Sequence, residues 1–253
     1  MNRRHLFAIA ALAGAAFTAS SAAHAFDWSW GSKETIKGSG EVTSESRDVG
    51  AFDGIAAVGG FKIYIRQADS HKLEIKADKN LLPYLETRVV ESGKGRTLEI
   101  GPKKGVSFST STTPEVSISM AQLRAISVAG SGLVKVDAMK TGAVEASIAG
   151  SGDIQFSELT SEKLGLRVAG SGDISAKGRT GQLNVSIAGS GDVKATDTVA
   201  EEVKISISGS GDARVNAVKK LEVKIAGSGD VGYLGSPEIS SSVAGSGKVR
   251  KLN

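Results

Sequence analysis

Five aspartates, Asp153, Asp173, Asp192, Asp212 and Asp230, each stand directly after a Gly-Ser-Gly tripeptide and recur at nearly constant spacing. Carboxylates repeated in this way along a stacking chain form a file about 5 Å apart, and neighbours at that distance repel by about 1 kcal/mol in water and more in a lower dielectric. Three arrangements offset the repulsion. Each carboxylate can accept hydrogen bonds from turn N–H groups, be neutralised by a cation two residues along (Lys135, Lys194, Arg214), or bind an ion such as Ca²⁺ between rungs. Turn capping needs nothing beyond the local chain. Calcium is the weaker candidate, because calcium-binding rolls carry Gly-Gly-x-Gly-x-Asp twice per coil, whereas here a single Gly-Ser-Gly-Asp serves each coil. No cofactor is expected otherwise.

Other catalytic patterns are weaker. His71 is the one histidine beyond Ala25 and follows Asp69-Ser70, but consecutive polar residues at a turn point apart and do not make a triad. Glu91 to Thr97 has the glycines of a phosphate loop without its leading glycine or its Gly-Lys-Ser/Thr order. Lys103-Lys104, Lys219-Lys220 and Arg250-Lys251 are isolated basic pairs, which excludes a nucleic-acid footprint. Within the repeats the aromatics are Phe156 and Tyr233, too few for a sugar platform, and no repeat differs chemically from its neighbours as an active site must. These patterns indicate no enzyme and no catalytic residues.

The elements that carry the aspartates follow from seven Gly-Ser-Gly copies, beginning at Gly130, Gly150, Gly170, Gly189, Gly209, Gly227 and Gly245. A period of about 20 residues marks a solenoid whose coils bury apolar side chains by stacking. Two residues before the first glycine stand Val128, Ile148, Val168, Ile187, Ile207, Ile225 and Val243; four after it stand Val134, Ile154, Ile174, Val193, Ala213, Val231 and Val249. Both columns are expected to be core ladders, with alternate residues facing out. The fold class is therefore all-β, a right-handed parallel β-helix of about 20-residue coils, the hand following from crossover chirality. The glycines serve as structural turns, where positive φ or close approach of stacked backbones excludes a Cβ.

The segment Met1–Ala25, with Arg3-Arg4, an apolar run from Leu6 to Phe17 and a closing Ala23-His24-Ala25, has the layout of a signal peptide. Twin-arginine and general secretion both fit. The run of about 12 apolar residues falls short of the roughly 20 that span a bilayer, so the exported protein is not transmembrane. There is no cysteine, hence neither disulfide nor thiolate site. Residues 26–40, which hold both tryptophans, read as a flexible leader. Residues 41–120 form a less regular N-terminal β region, with alternating strands at Phe61–Gln67, Lys72–Ala77, Thr87–Glu91, Arg96–Ile100 and Glu115–Met120 and one helical turn near Asn80–Leu85; the repeats occupy 121–253. Whether that region is a separate domain or the first coils of one solenoid is open at this point.

The Ala-Gly-Ser-Gly-Asp-Val/Ile repeats (Ala149–Ile154, Ala169–Ile174, Ala188–Val193, Ala226–Val231), preceded by Phe61-Lys62-Ile63-Tyr64-Ile65 and Asp78-Lys79-Asn80-Leu81, resemble the head GIN domain family of autotransporter-adhesin type over about Phe52 to Leu252. The resemblance implies an exported β-helix without assigned activity. The sequence stops at Asn253 without the C-terminal membrane barrel of an autotransporter, so the expectation is a passenger-like module. The expected function is a non-catalytic, adhesin-like binding module of the cell envelope, in the periplasm or at the cell surface. Its flat Ser/Gly/Asp-lined side would meet a cell-surface polymer or an envelope protein. Lys248, Arg250 and Lys251 would blunt the last sheet edge and keep it monomeric. The alternatives are a structural or assembly protein of the envelope and, behind it, a polysaccharide-active β-helix enzyme.

Overall fold

The computed structural model describes residues 34–92 and 95–253. The segment read as a signal peptide, together with Trp28 and Trp30, lies outside the described residues. The first strands are β1 (Glu34–Lys37), β2 (Val42–Arg47), β3 (Gly54–Val58), β4 (Lys62–Gln67) and β5 (Lys72–Asp78). A single 3-10 turn, Leu82–Tyr84, leads into β6 (Leu85–Ser92), β7 (Gly95–Pro102), β8 (Val106–Ser109) and β9 (Glu115–Met120). The repeats supply β10 (Ala125–Gly130), β11 (Leu133–Gly150), β12 (Asp153–Gly170), β13 (Asp173–Gly189), β14 (Val193–Gly209) and β15 (Ala213–Gly227). The chain closes with β16 (Val231–Leu234), β17 (Glu238–Gly245) and β18 (Val249–Lys251).

From β10 to β18 every pairing between successive coils is parallel and joins like to like: Val128 to Ile148, Ile148 to Val168, Val168 to Ile187, Gly170 to Gly189. Each coil is long because its strand bends instead of ending. In β12 the buried residues step by two along a face (Ile154, Phe156; then Leu164, Leu166, Val168), while Leu159 follows Phe156 by three at a bend. A step of three returns the inward side after a corner, so one strand wraps the core. Coil length varies in the middle stretch, where register shifts fall between Phe156 and Leu159, Ser175 and Gly178, and Ala195 and Val199. The core ladders are buried through Ile225 and Val231.

Val243 departs from the expected ladder, being 41% exposed. The last turn is as long as the one before it, with Gly235-Ser236-Pro237 opposite residues 217–219, but β17 pairs only with β15, so among the described residues no strand stacks on its far side and its inner side is left open. The leader expected to extend to residue 40 is also shorter, because Glu34–Lys37 pair in parallel with Val106–Ser109.

The N-terminal region continues the solenoid. Gly54–Val58 pair with Ala125–Ala129, and Lys62–Ile65 pair with Leu133–Val136, so Gly59-Gly60-Phe61 occupies the corner that Gly-Ser-Gly fills elsewhere. The chain then leaves the stack, makes the antiparallel hairpin β6–β7, and places β7 beside β3 and β9 beside β4 before returning to β10. Stacking order therefore differs from chain order at this end. Beside β9, β5 and then β2 add antiparallel, which builds a mixed sheet in the order β11-β4-β9-β5-β2.

Candidate functional site

Gly170 shows why the corners need glycine: its φ is 128°, in the region that L side chains avoid, and an added Cβ would collide with the carbonyl oxygen of Gly150 one coil below. At Gly172 the obstacle is the carbonyl of Gly152, with φ unremarkable. One position needs the backbone angle, the other the close approach.

The aspartate file acts along the stack. Asp173 N–H meets Asp153 Oδ1 at 3.3 Å, Asp192 N–H meets Asp173 Oδ1 at 3.1 Å, and Asp212 N–H meets Asp192 Oδ1 at 3.1 Å. Asp230 N–H and Lys248 N–H likewise donate to Asp212 Oδ1 (2.8 Å) and Asp230 Oδ1 (2.9 Å). The backbone ladder explains the need. At the first two rungs the amides of Asp153 and Asp173 reach the carbonyls of Gly132 and Gly152. Beyond them the bonding reverses: Ile174, Val193, Ala213 and Val231 donate upward to the carbonyls of Asp192, Asp212, Asp230 and Lys248, leaving the amides of those four residues to the carboxylates below. An amide left without an acceptor at a half-buried corner would cost about 1 kcal/mol or more. The exceptions at this offset then have a reason. Leu133 lies under an amide that already has a backbone partner, and Lys248 stands in the last described rung, with no described amide beyond it to cap.

Of the three cations considered for neutralising the file, Lys194 bonds Asp173 Oδ2 at 3.1 Å, while Lys135 and Arg214 make no ion pair among the described residues. Among those residues no group of three or more His, Cys, Asp or Glu side chains is placed to hold a metal ion. The rod's other ion pairs fall mostly between adjacent coils, as in Arg167–Glu145 at 2.8 Å, Lys219–Glu201 at 2.6 Å and Lys177–Asp197 at 3.2 Å. Glu222 bridges Lys204 and Lys224 at 3.3 Å each. Hydrogen bonding from Lys224, then from Lys204, lowers its pKa below the ordinary carboxylate value.

A depression with a varied lining lies on the mixed sheet, a trough of about 860 Å³. Register builds it. Across the five strands one outward row reads Lys135, Tyr64, Ser117, Glu74, Ser46, and the next holds Arg66, Ser119 and Lys72. The central strand thus contributes serines while its neighbours contribute long side chains, which gives a low floor between two walls. Arg66 Nε donates to Ser119 Oγ at 2.8 Å and covers it, so Ser119 is buried. Tyr64 is 38% exposed on the wall. Asp48 and Asp137 border the same space. Arg66, Lys72, Glu74 and Asp137 form no ion pair among the described residues. Arg47 is committed elsewhere, to Glu45 and to the carbonyls of Leu82 and Leu85.

His71 sits at the trough's end, its Nε2 3.0 Å from the carbonyl oxygen of Phe52 and its ring edge-on to Phe52. It bonds neither Ser70 nor Asp69. Of the Glu91–Thr97 segment, residues 91–92 and 95–97 lie in the antiparallel pair β6–β7, where Glu91 pairs with Arg96, and open no helix. The Asp78-Lys79-Asn80-Leu81 segment ties residues 37–39 to the mixed sheet that caps the N-terminal end of the solenoid: Asn80 Oδ1 accepts from Ser39 N–H, its Nδ2 donates to Lys37 O, and Thr110 donates to the buried Asp78 at 2.5 Å. The trough residues Tyr64, Arg66, Lys72, Glu74 and Ser117 were not singled out by sequence. Their alternation marks outward faces, but nothing local shows that the distant Glu115–Met120 inserts between Lys62–Gln67 and Lys72–Asp78.

A parallel β-solenoid with glycine corners and a varied trough at its N-terminal end is a rod with a specialised head. The chain belongs to the family "Putative auto-transporter adhesin, head GIN domain", which matches residues 51–237. Among solved structures it is similar to a putative lipid binding protein from Parabacteroides distasonis, at 29% identity over 87% of this chain and 100% of that one, TM-score 0.70. A putative adhesin from Bacteroides fragilis shows 25% identity over 86% and 100%, TM-score 0.73. One from Parabacteroides merdae, at 23% identity over 87% and 99% with TM-score 0.70, shares the fold. No curated protein matches the sequence significantly. Among the described residues no helix is long and apolar enough to cross a membrane.

Proposed function

We propose that the protein is an exported, non-catalytic, adhesin-like binding module of the cell envelope, and that it binds through the trough of its mixed sheet. The observation that carries this reading is the contrast in side-chain variety. Along the rod the aspartates cap amides in a repeating file, while the trough gathers Arg66, Lys72, Glu74 and Asp137, none of them in an ion pair among the described residues, around a partly exposed tyrosine. Family membership supports the adhesin class, and the layout of Met1–Ala25 supports export, to the periplasm or the surface. No nucleophile bonds a base in the trough, since the Ser119 hydroxyl is held by Arg66 and His71 by a backbone carbonyl. The name of the Parabacteroides distasonis relative raises lipid as a ligand. In this chain most of the lining side chains carry a charge or a hydroxyl, so a ligand that bears polar groups fits better. The test is saturable co-sedimentation of the purified protein with isolated bacterial envelopes. Ser117→Trp, which fills the floor from an exposed position, is expected to abolish it with the melt unchanged; unchanged binding would refute the site.

The second reading, assembly through the solenoid's end, is favoured by β17, whose Ile239 and Val243 are 42% and 41% exposed beside an unpaired edge. Concentration-dependent association that Val243→Lys removes would support it over a monomer whose edge is blunted by Lys248, Arg250 and Lys251.

A further inference from the structure

We infer that the trough accommodates a neutral, hydroxyl-rich glycan segment, an inference that rests on the trough being the binding site. Three features of its lining select this ligand class.

The first is charge. The cations Arg66 and Lys72 stand on opposite walls over Ser119, with the acids Glu74, Asp48 and Asp137 around them. A polyanion would meet the carboxylates of Asp48, Glu74 and Asp137 and a polycation the charges of Arg47, Arg66 and Lys72, so neither gains a uniform field. A sugar hydroxyl donates and accepts in one group, and such a lining offers both roles: carboxylate acceptors, guanidinium and ammonium donors, and the hydroxyl of Ser117. Desolvating these groups against water-like hydroxyls leaves each with a partner.

The second is the flat wall. Tyr64 is exposed in the row that also holds Ser117 and Glu74, so a ring resting on the phenol lies above a small side chain and beside a carboxylate. Aromatic rings recognise flat, partly apolar faces in this way while keeping a polar tip in water. The volume of about 860 Å³ lies within the range of small-ligand sites and admits a short oligosaccharide stretch.

The third is what the trough lacks. An extended peptide is most readily captured by adding a strand to an open edge. Here β4 pairs with β11 and β9, β9 with β4 and β5, and β5 with β9 and β2, so the backbone of the floor and both walls is already bonded on each side. Recognition within it falls to side chains alone.

The experiment uses purified protein and bacterial envelopes in three forms: untreated, periodate-oxidised, and protease-digested. Periodate cleaves vicinal diols and so destroys sugar rings while leaving most peptide intact; protease does the reverse. The glycan reading expects binding to untreated envelopes, retention after protease, and loss after periodate. It expects less than about a twofold change between moderate and high salt, since no net charge is neutralised on binding. Tyr64→Ala should weaken binding by about tenfold, equivalent to about 1.4 kcal/mol, and Tyr64→Phe should retain most of it. Loss after protease with retention after periodate overturns the glycan in favour of a protein partner and leaves the binding-module reading standing. A steep salt dependence overturns it in favour of an ionic polymer. Failure of the parent protein to bind untreated envelopes overturns the binding-module reading itself.

Discussion

Replacing Asp192 separates its two physical effects, because alanine and asparagine both remove the charge and only alanine removes the acceptor. Asp192 Oδ1 takes the amide of Asp212 at 3.1 Å, and that amide makes no backbone bond in the ladder. Its neighbours in the file, Asp173 and Asp212, each repel it by about 0.8 kcal/mol at roughly 5 Å in water. Both variants relieve that repulsion equally. Asp192→Ala in addition leaves the Asp212 amide to water, which costs about 1 kcal/mol relative to Asp192→Asn, whose side-chain oxygen can still accept. The solenoid opens locally, so residue-resolved hydrogen exchange is the assay. The Asp212 amide should exchange about fivefold faster in the alanine variant than in the asparagine variant, the ratio that about 1 kcal/mol implies. The amide of Asp230, capped by Asp212, should not change. Equal exchange at Asp212 in the two variants would refute the capping account. So would a parent protein whose melting temperature rises with calcium over chelator, since the aspartates would then serve an ion between rungs.

Three further outcomes are expected. Ile187→Asp places a charge at a side chain that is 1% exposed between Val168 and Ile207; it should cost at least about 4 kcal/mol and unfold the coil, and a soluble variant melting like the parent would contradict the register. Gly170→Ala combines positive φ with a backbone collision and should lower stability by about 2 to 3 kcal/mol; an unchanged urea midpoint would show that the corner can relax. For Glu222, whose pKa is lowered by Lys224 and Lys204, the stabilisation is present above the ordinary glutamate value and lost as pH falls through the lowered one. Replacing both lysines by methionine should return the titration of Glu222 to the ordinary range by NMR.

The repeat was legible in the sequence because each coil restates the same local pattern. A β-branched residue two positions before Gly-Ser-Gly and an apolar one four after it specify a strand, a corner and an inward face without long-range information, and the stacking register follows from aligning like with like. The coil at Gly54–Ile65 was harder to see because its corner reads Gly59-Gly60-Phe61, which keeps the positive-φ glycine (φ 113° at Gly59) but none of the repeated tripeptide. Val243 was misplaced for a related reason. Its local pattern is that of a core residue, and its exposure comes from its place in the last described coil, where β17 pairs on one side only. The role of the aspartates was legible as turn capping, but that each cap crosses to the next coil depends on which backbone amides the ladder leaves over.

The trough sits where a repeat array permits one. Within the rod, parallel stacking puts equivalent residues side by side, so its columns often repeat one residue type: serine beside serine at Ser186 and Ser206, alanine beside alanine at Ala169 and Ala188. A wide floor lower than both walls, with different chemistry on each, is built more readily from neighbouring strands of unrelated sequence. The cap meets that condition, because there the chain departs from its stacking order and sets Glu115–Met120 between Lys62–Gln67 and Lys72–Asp78. The two parts therefore depend on each other. The uniform rod gives the mixed sheet a rigid parallel edge at β11 on which to build, and the break in stacking order supplies the chemical variety that selective binding needs.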